Sequence, residues 1–515
     1  MPDHAPEAEA REFAAAFRGF IEWVHRTADD GQRNEVAALI TGFLGPGGAD
    51  HSVVSRDLPA FEHVNLQAAI DAWTAQPGRA VEVRGILLPP HHSIMLQQVV
   101  SGEMMAVGLR LTAPALVDLP NGPASTLGCL KLALLLVTDA RGRYVVMVQG
   151  PGEHHPTLEV EVAGLPVADA QAVLGELDKL RSELNVYRGH QLDVTIGPMG
   201  AVILTFAVPP GLSRDDVVLP DAVLNRVERH ALGVAAHRAA LLAAGQHLKR
   251  GLLLYGPPGT GKTHTTRYLL GQMTGYTRLI LTGRALIGVG AVTELARDLQ
   301  PSVVVLEDVD LVAEDRSHGP ASSPVLFDLL DAMDGAAPDA DLLFLLTTNR
   351  ADLLEPALAA RPGRVDVAVE IELPDAAARE RLLALYGRGV PFALTAADLT
   401  AAVERTDGTT ASFLKELIRR SILEALHDAS QRSPADRDDG TDLAGGAGDP
   451  VTVTGVHLAR ALDDLLDSAQ GVTRALLGVG VDPATLPAGG ALGMSPAQLM
   501  ARRRMGMGSV AIYRG

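Results

Sequence analysis

The stretch LLLYGPPGTGKT, residues 252–263, decides which fold this sequence predicts. An apolar run leads into Gly256-x-x-x-x-Gly261-Lys262-Thr263, which is typical of a strand, a glycine-rich turn and the start of a helix. In such a turn, backbone N–H groups point at phosphate, and the helix N-terminus adds partial positive charge. Lys262 can then reach the β- and γ-phosphates and Thr263 can bind Mg²⁺, so the stretch predicts a site for ATP and Mg²⁺. The predicted nucleotide-binding residues are Gly256, Pro257, Pro258, Gly259, Thr260, Gly261, Lys262, Thr263 and His264.

A second motif lies further along the chain, at residues 303–308, with the sequence VVVLED. Four apolar residues followed by two acids are typical of a buried strand that delivers carboxylates to the edge of a sheet. We expect Glu307 and Asp308 to lie beside the phosphate-binding turn, where a Mg²⁺ ion would bind.

Strand-like runs alternate with helical ones around both motifs. This alternation predicts an α/β fold with a parallel sheet and helices on both faces. The nucleotide would lie at the carboxyl ends of the strands. The predicted strands are residues 251–255, 278–281, 303–306, 342–347 and 367–370.

Changes in composition divide the chain into five predicted parts. The first two are a mostly helical segment and an α+β domain, and the third is the α/β unit with the two motifs. A small helical lid follows, with a polar insert expected to be flexible, and the tail is rich in Gly and Ala. These parts are residues 1–75, 76–215, 216–373, 374–468 with the insert at 428–450, and 469–515.

Within the α+β domain, strands are predicted at residues 81–86, 130–137, 143–148 and 201–207, and one amphipathic helix at 168–184. The sequence of this domain indicates no chemistry of its own. We expect residues 1–215 to recognise a protein client or an adaptor.

Composition excludes several classes of function. Lys and Arg number 44 against 62 Asp and Glu, a formal net charge of −18, which argues against nucleic acid as a partner. Cys129 is the single cysteine, which suits a reducing compartment. No signal peptide is recognisable, and the most apolar run, residues 130–137, is far shorter than the roughly 20 residues of a membrane helix. We expect a soluble, cytoplasmic protein without a membrane segment.

Residues from about 216 to 467 resemble an AAA ATPase module of the wider AAA+ class. Besides the two motifs, the resemblance rests on TTNR at residues 347–350 and LEPALAARPGRVD at 354–366. It implies a P-loop NTPase sheet with a helical lid, and an ATP-hydrolysing enzyme that assembles into a ring, expected to be a hexamer.

The resemblance also implies roles for single residues. Glu307 occupies the position of the family's Mg²⁺-associated Asp, and Asp308 that of its water-activating Glu. Asn349 matches the polar residue that positions the attacking water and senses the γ-phosphate. Arg361 and Arg364 match the two arginines that reach the nucleotide of the neighbouring subunit, where positive charge accelerates phosphoryl transfer. From the residues alone, salt bridges within the subunit remain the alternative for both arginines.

Two features depart from the usual family pattern. The acids stand in the order Glu307-Asp308 rather than Asp-Glu, an order that resembles a mitochondrial AAA branch which assembles respiratory complex III. Asp is shorter than Glu by one carbon–carbon bond, about 1.5 Å, and in-line attack tolerates little misplacement. Either the local backbone compensates or turnover is slow.

The second departure concerns the segment that in many AAA unfoldases carries a pore-lining aromatic residue. Here residues 283–290, GRALIGVG, have no aromatic residue. Leu286-Ile287-Gly288 either grips a substrate weakly or begins a helix. The lid stretch at 407–413 lacks the arginine of clamp-loader relatives, which favours a protein-remodelling branch, and Arg419 and Arg420 are expected on a solvated face.

Metal-protease chemistry is not predicted. The sequence contains no His-Glu-x-x-His, so the zinc peptidase found in the membrane-protease branch of the family is missing. His91-His92 and His154-His155 have no partner at ligand spacing and are predicted to be solvated loop residues. The predicted function is remodelling of protein clients driven by ATP hydrolysis. The alternative is a nucleotide-gated oligomeric scaffold with little turnover, and a nucleic-acid motor would require tight, salt-sensitive binding.

Overall fold

The structure is a computed structural model. It describes residues 35–47, 52–88, 94–101, 109–152, 156–197, 200–310, 340–350, 365–431 and 451–466, together with the single residues 16, 19 and 333.

An antiparallel sheet forms the centre of the N-terminal region. Its order is β1-β7-β6-β5-β2-β3, and β4 pairs with β5 beside β2. The strands are β1 (Val54–Leu58), β2 (Ala80–Leu87), β3 (Arg110–Thr112), β4 (Ala115–Pro120), β5 (Thr126–Asp139), β6 (Gly142–Gln149) and β7 (Leu158–Ala163). The sheet confirms the predicted strands at residues 130–137 and 143–148.

Helices cover both faces of this sheet because alternate side chains of its central strand point to opposite sides. Leu135 and Val137 of β5 pack with Trp73 on one face, whereas Leu134 and Leu136 pack with Ile40 on the other. The helices are α1 (Glu35–Leu44), α2 (His63–Thr74), α3 (Leu96–Val100) and α4 (Val167–Glu183). Helix α4 confirms the amphipathic helix predicted at residues 168–184.

Among the described residues of the predicted helical segment 1–75, one run is a strand that was not predicted. Strand β1 lies within this segment and pairs antiparallel with β7. Val54 and Leu58 pack against the core of the sheet, so the alternation in VSRDL is that of a half-buried strand. The apolar residues on either side of this short run have helical spacing, so the run was not recognised as a strand.

A second sheet carries the two motifs, with the order β14-β10-β13-β12-β11-β8-β9. All its neighbouring strands are parallel except β8 and β9. The strands are β8 (Gln191–Ile196), β9 (Val202–Ala207), β10 (Arg250–Tyr255), β11 (Thr277–Thr282), β12 (Ser302–Glu307), β13 (Leu342–Thr348) and β14 (Val367–Glu370). The five predicted strands and the α/β fold class are confirmed.

Both faces of the second sheet are buried, which explains the continuous apolar runs in its sequence. Val303 and Val305 of β12 face one core cluster, and Val304 and Leu306 face another. The helices around the sheet are α5 (Asp221–Ala236), α6 (Arg238–Ala243), α7 (Lys262–Gln272) and α8 (Val289–Asp298).

The hairpin β8–β9 lies in the second sheet, although residues 191–207 were predicted to belong to the N-terminal α+β domain. Strand β8 pairs parallel with β11, and its Leu192 and Val194 are buried in the same core cluster as Leu279 and Leu281 of β11. A strand's own sequence does not indicate its partner. The hairpin was therefore assigned to the N-terminal domain from its position along the chain alone.

The two sheets meet at a polar junction beside the start of α2. The Tyr187 hydroxyl donates to the Phe61 carbonyl oxygen at 2.6 Å, and the Val186 N–H donates to Asn65 Oδ1 at 2.9 Å. Arg181 forms an ion pair with buried Glu62 at 2.8 Å. The N-terminal sheet is therefore fastened directly to the segment that leads into β8.

The lid consists of helices and a short parallel strand pair. Its core contains Phe413, Leu414 and Leu417 packed against Leu458. The elements are α9 (Ala376–Tyr386), β15 (Phe392–Ala393), α10 (Ala396–Arg405), α11 (Ala411–Gln431), β16 (Val453–Thr454) and α12 (Gly455–Leu466). Residues 428–431 of the predicted polar insert are helical, while its remaining residues and the predicted tail lie outside the described ranges. Within those ranges, no helix has both the length and the apolarity to cross a membrane.

Removing the Tyr187 hydroxyl is expected to destabilise the junction. Tyr187→Phe leaves the Phe61 carbonyl oxygen without its donor and should lower the free energy of unfolding by about 1–2 kcal/mol in urea denaturation. Tyr386→Phe is the matched control, because that hydroxyl has no hydrogen-bond partner among the described residues. Equal effects of the two substitutions would contradict a role for the Tyr187–Phe61 bond.

A buried carboxyl group gives the N-terminal region a pH dependence. Glu161 is 3% exposed and accepts the Leu96 N–H at 2.7 Å. Burial raises the pKa of Glu161 to about 7; the Leu96 N–H lowers this pKa, whereas the charges of Glu159 and Asp57 raise it.

This raised pKa of Glu161 determines whether stability rises or falls with pH. In the unfolded chain a Glu has a pKa of about 4.3, so from there to about pH 7 the folded protein keeps a proton that the unfolded chain has lost. Stability therefore falls as the pH rises through this window. Glu161→Gln should stabilise the protein by about 1–3 kcal/mol at pH 8 in urea denaturation, with the gain disappearing towards pH 4. A gain that did not change with pH would contradict this account, and Glu183→Gln, at an exposed carboxylate, should have little effect at any pH.

Candidate functional site

The phosphate-binding turn connects the end of β10 to the start of α7. Its conformation requires glycine: Gly256 has φ 142° and Gly261 has φ 109°. A Cβ atom on Gly256 would lie 2.3 Å from the carbonyl oxygen of Ile371, so the backbone approaches the neighbouring segment too closely for a side chain. The predicted strand, turn and helix are therefore present, and the turn opens at the N-terminus of α7.

Lys262 lies in this turn with its ammonium group folded back on the loop. It is 5% exposed, and Nζ donates to the carbonyl oxygens of Gly256 and Pro257, both at 2.8 Å. Burial lowers the pKa of Lys262 to about 8, while the charges of Asp308 and Asp310 raise it. A phosphate group in the turn would offer this amine a charged acceptor in place of two carbonyl oxygens.

The two acids of the second motif stand where β12 ends, and they differ in backbone conformation. Glu307 is the last residue of the strand, whereas Asp308 has φ 51°, in the left-handed region that few side chains adopt. The Asp308 N–H donates to Thr347 Oγ1 at 3.0 Å, and the Val309 N–H donates to the Thr347 carbonyl oxygen at 3.0 Å. The end of β13 thus holds Asp308 in this conformation. The backbone therefore departs from regular strand geometry at Asp308. The side chain of this residue is shorter than the Glu expected at this position.

Asn349 follows the end of β13 and faces Asp308. Its Nδ2 lies 3.4 Å from Asp308 Oδ1, a long contact between the predicted base and the predicted sensor. Burial raises the pKa of Asp308, and the negative charge of Asp310 adds to this effect, whereas Lys262 and Asn349 lower the pKa. A raised pKa favours a carboxylate that takes up a proton.

Asp310 is a third acid of the site that the sequence motifs did not predict. It is 5% exposed, and its Oδ1 accepts the Thr348 hydroxyl at 2.9 Å and the Asn349 N–H at 3.0 Å. The signal available in the sequence was its position two residues beyond Asp308. Asp310 therefore fixes the backbone that presents Asn349.

Glu307 lies beside Thr263, as predicted. Burial raises the pKa of Glu307, while Arg267 and a hydrogen bond from Thr263 lower it, and Asp308 and Asp193 raise it. A hydroxyl and a carboxylate are the hard oxygen donors that Mg²⁺ takes together with nucleotide phosphates. The donors present thus fit a Mg²⁺ ion held by Thr263 and Glu307.

The lid contacts the phosphate-binding turn at the first residues of α11. Ser412 donates to the Gly259 carbonyl oxygen from its N–H at 3.1 Å and from its hydroxyl at 3.3 Å. On the opposite side, His264 Nε2 donates to the Asp216 carbonyl oxygen at 2.9 Å, and Arg388 of the lid pairs with the Asp216 carboxylate at 2.6 Å. The turn is therefore enclosed by contacts that the sequence motifs did not indicate.

The segment compared with a pore loop has no gripping leucine. Residues 283–288 form a 3₁₀ turn that leads into α8, and Leu286 is 3% exposed in the core. Of the apolar pair, only Ile287 is exposed, at 60%. Leu286 therefore cannot contribute to a substrate grip, because its side chain packs inside the protein, and the run leads into a helix as the alternative predicted. A weak grip by exposed Ile287 stays a prediction.

Several predicted residues lie outside the described ranges. They are Arg361, Arg364 and the histidine pairs at 91–92 and 154–155, so their predicted roles stay predictions. Arg419 and Arg420 are described, and both pair with Glu416 on the surface of the lid, as expected of a solvated face.

Comparison with known proteins places the site in context. A family model described as "ATPase family associated with various cellular activities (AAA)" matches residues 252–373. The chain is 34% identical to the ATP-dependent zinc metalloprotease FtsH of Mycobacterium tuberculosis over 195 residues, which are 35% of this chain and 25% of that protein. It is 33% identical to FtsH of Thermus thermophilus over 202 residues, 36% of this chain and 32% of that protein. For FtsH 4 of Sphaerobacter thermophilus the identity is 36% over 197 residues, 36% of this chain and 30% of that protein.

The chain therefore spans about a quarter to a third of the length of these relatives. Their names describe zinc metalloproteases, whereas the His-Glu-x-x-His motif does not occur in this sequence. The part that these relatives share with this chain is an ATPase domain.

Loss of the Asp310 carboxylate is expected to impair hydrolysis more than binding. Asp310→Ala leaves the Asn349 N–H and the Thr348 hydroxyl without their acceptor, so ATP turnover should fall about tenfold or more. Affinity for ADP should change by less than about threefold, because the turn at residues 256–263 keeps its contacts. Asp298→Ala, at an exposed carboxylate on α8, serves as the control. Parental turnover in Asp310→Ala would show that Asn349 is positioned by other contacts.

Proposed function

Because this chain belongs to the AAA ATPase family through residues 252–373, we propose that it hydrolyses ATP in a ring of identical subunits and thereby remodels a protein client. The observation that carries the proposal is the convergence of Lys262, Asp308 and Asn349 at one edge of the sheet. The charge of Asp308 acts on Lys262, and Asn349 contacts Asp308 at 3.4 Å.

The residues of the site suggest a division of labour in hydrolysis. The N–H groups of the turn and Lys262 hold the β- and γ-phosphates. Thr263 and Glu307 would hold Mg²⁺, which would supply positive charge to offset the negative charge of the phosphates. Asn349 orients the attacking water, and Asp308 accepts its proton.

The proposal of a ring is based on the arginines of the LEPALAARPGRVD stretch. Arg361 and Arg364 would reach the nucleotide of the neighbouring subunit, so each site is completed by a second copy, and we propose a hexamer on family grounds. The N-terminal sheet and its helices would recognise the client or an adaptor. Cys129 is buried and unpaired, which suits a reducing compartment, so we propose a cytoplasmic location.

A second candidate is a nucleotide-gated scaffold with little turnover. The observation that favours it is Asp308 itself, which is shorter than Glu and sits at φ 51°. If this geometry keeps the carboxylate away from the attacking water, ATP would change the assembly without being consumed quickly.

The test is ATP hydrolysis per subunit as a function of protein concentration. The parental chain should show specific activity that rises with concentration, and Lys262→Ala, Arg364→Ala and Asp308→Asn should each lower it at least about tenfold. Arg419→Ala, at an exposed arginine of the lid, should retain parental activity.

Two results would count against the proposal. Turnover near background with intact ATP binding would favour the scaffold. Activity that does not depend on concentration or on Arg364 would contradict a site shared between subunits.

A further inference from the structure

A linker segment, residues 184–190, connects α4 of the N-terminal region to β8 of the second sheet. On one side it is bound to the start of α2, through the Val186 N–H and the Tyr187 hydroxyl. On the other side Gly189, which has φ 78°, donates its N–H to Thr277 Oγ1 of β11 at 2.9 Å. The linker segment is therefore held by the N-terminal region and by the second sheet at once.

Arg188 of the linker segment joins the ends of two helices. Its Nη2 donates to the carbonyl oxygens of Ser182, in the last turn of α4, at 3.2 Å and of Asp298, the last residue of α8, at 3.0 Å. Its Nη1 donates to the Gln300 carbonyl oxygen at 3.1 Å. Carbonyl groups at a helix C-terminus lack intrahelical partners and carry partial negative charge, which suits a guanidinium group. One exposed side chain thus ties a helix of the N-terminal region to a helix of the second sheet.

Arg278 of β11 makes a similar connection from the inside of the protein. It is 7% exposed, and its Nη2 donates to the Gly189 carbonyl oxygen at 2.9 Å. Its Nη1 donates to the carbonyl oxygen of Leu270, in the last turn of α7, at 3.0 Å. Among the described residues Arg278 has no ion pair, so its hydrogen bonds serve to join the linker segment to the end of α7.

Helix α7 connects this contact with the phosphate-binding turn. Its first residues, Lys262 and Thr263, belong to the turn, and Leu270 lies at its other end. The helix is one unbroken run of 11 residues, and both Leu269 and Leu270 are buried in the core of the sheet. Rigid elements and hydrogen bonds of this kind can carry energetic coupling between two places. A continuous series of them therefore joins the phosphate-binding turn to the linker segment and to α2.

We propose that Arg188 and Arg278 are positioning residues that couple α7 to the N-terminal region. Nucleotide in the phosphate-binding turn then changes how tightly the linker segment is held. Because such coupling is reciprocal, a change in the N-terminal region alters the affinity for nucleotide by the same factor. This inference rests on the proposed ATPase function and adds a form of regulation to the same site.

The experiment measures hydrogen–deuterium exchange in the full-length chain, with and without a saturating non-hydrolysable ATP analogue and Mg²⁺. Exchange in the phosphate-binding turn reports whether nucleotide is bound, and exchange in the linker segment reports whether the bound nucleotide affects it. Arg188→Ala removes one connection. Arg278→Lys keeps the charge but lacks the planar fork that reaches two carbonyl oxygens. Because Arg188 is exposed, its truncation keeps the test valid if Arg278→Lys does not fold.

Two further variants serve as controls. Arg229→Ala removes an exposed arginine of α5. Arg250→Lys alters an arginine of β10 that is 3% exposed and pairs with Asp341, which does not belong to the linker segment. A loss of stability alone would therefore affect Arg250→Lys in the same way as Arg278→Lys.

In the parental chain and in both controls, nucleotide should slow exchange in the linker segment about threefold. Arg188→Ala and Arg278→Lys should lose most of this slowing, while exchange in the phosphate-binding turn slows as in the parental chain. Tyr187→Phe loosens the linker segment from the N-terminal side, so it should weaken binding of the analogue about threefold in the parental background. In the Arg278→Lys background the same substitution should change the Kd by less than about 1.5-fold.

Three results would overturn the inference. They are a linker segment that does not respond to bound nucleotide in the parental chain, parental slowing in both Arg188→Ala and Arg278→Lys, and equal effects of Tyr187→Phe with and without Arg278. Binding of the analogue without hydrolysis of ATP would contradict the proposed function alone, because the exchange measurements still test the coupling. An absence of binding would contradict both.

Discussion

The parallel pairing of β12 with β13 is the constraint on which the site depends. The register Leu306 to Leu346 brings the ends of both strands to the same edge of the sheet. The acids that follow β12 therefore meet the polar residues that end β13, and Thr347 Oγ1 accepts the Asp308 N–H at 3.0 Å. Because β10 pairs with the other side of β13, the phosphate-binding turn opens at this same edge. A slip of one residue between β12 and β13 would turn these side chains to the opposite face.

The sequence predicts most of this sheet because the information is local. Its parallel strands are buried on both faces, so they appear as continuous apolar runs such as residues 303–306, and each is bounded by a helical pattern. The phosphate-binding turn is predictable for the same reason, since its glycines, Lys262 and Thr263 adjoin one another in the chain. For the five predicted strands and the turn, the structure adds only where each element ends.

What the sequence could not predict depends on partners far apart in the chain. The residues of β8 are those of an ordinary half-buried strand, and nothing in them indicates pairing with β11, more than 80 residues later. Asp310 resembles any acid at the end of a strand until Thr348 and Asn349 donate to it. The left-handed conformation of Asp308 depends on the hydroxyl of Thr347 in the same way.

The distribution of contacts indicates which parts of the molecule act together. Val64 and Cys129 of the N-terminal region share a core cluster with Leu279 and Leu306 of the second sheet, and a shared apolar core resists relative motion. The lid has its own core, and it touches the phosphate-binding turn through Ser412. Opening the lid for nucleotide exchange is therefore expected to break fewer contacts than separating the two sheets. In this arrangement the N-terminal region is packed as an extension of the second sheet.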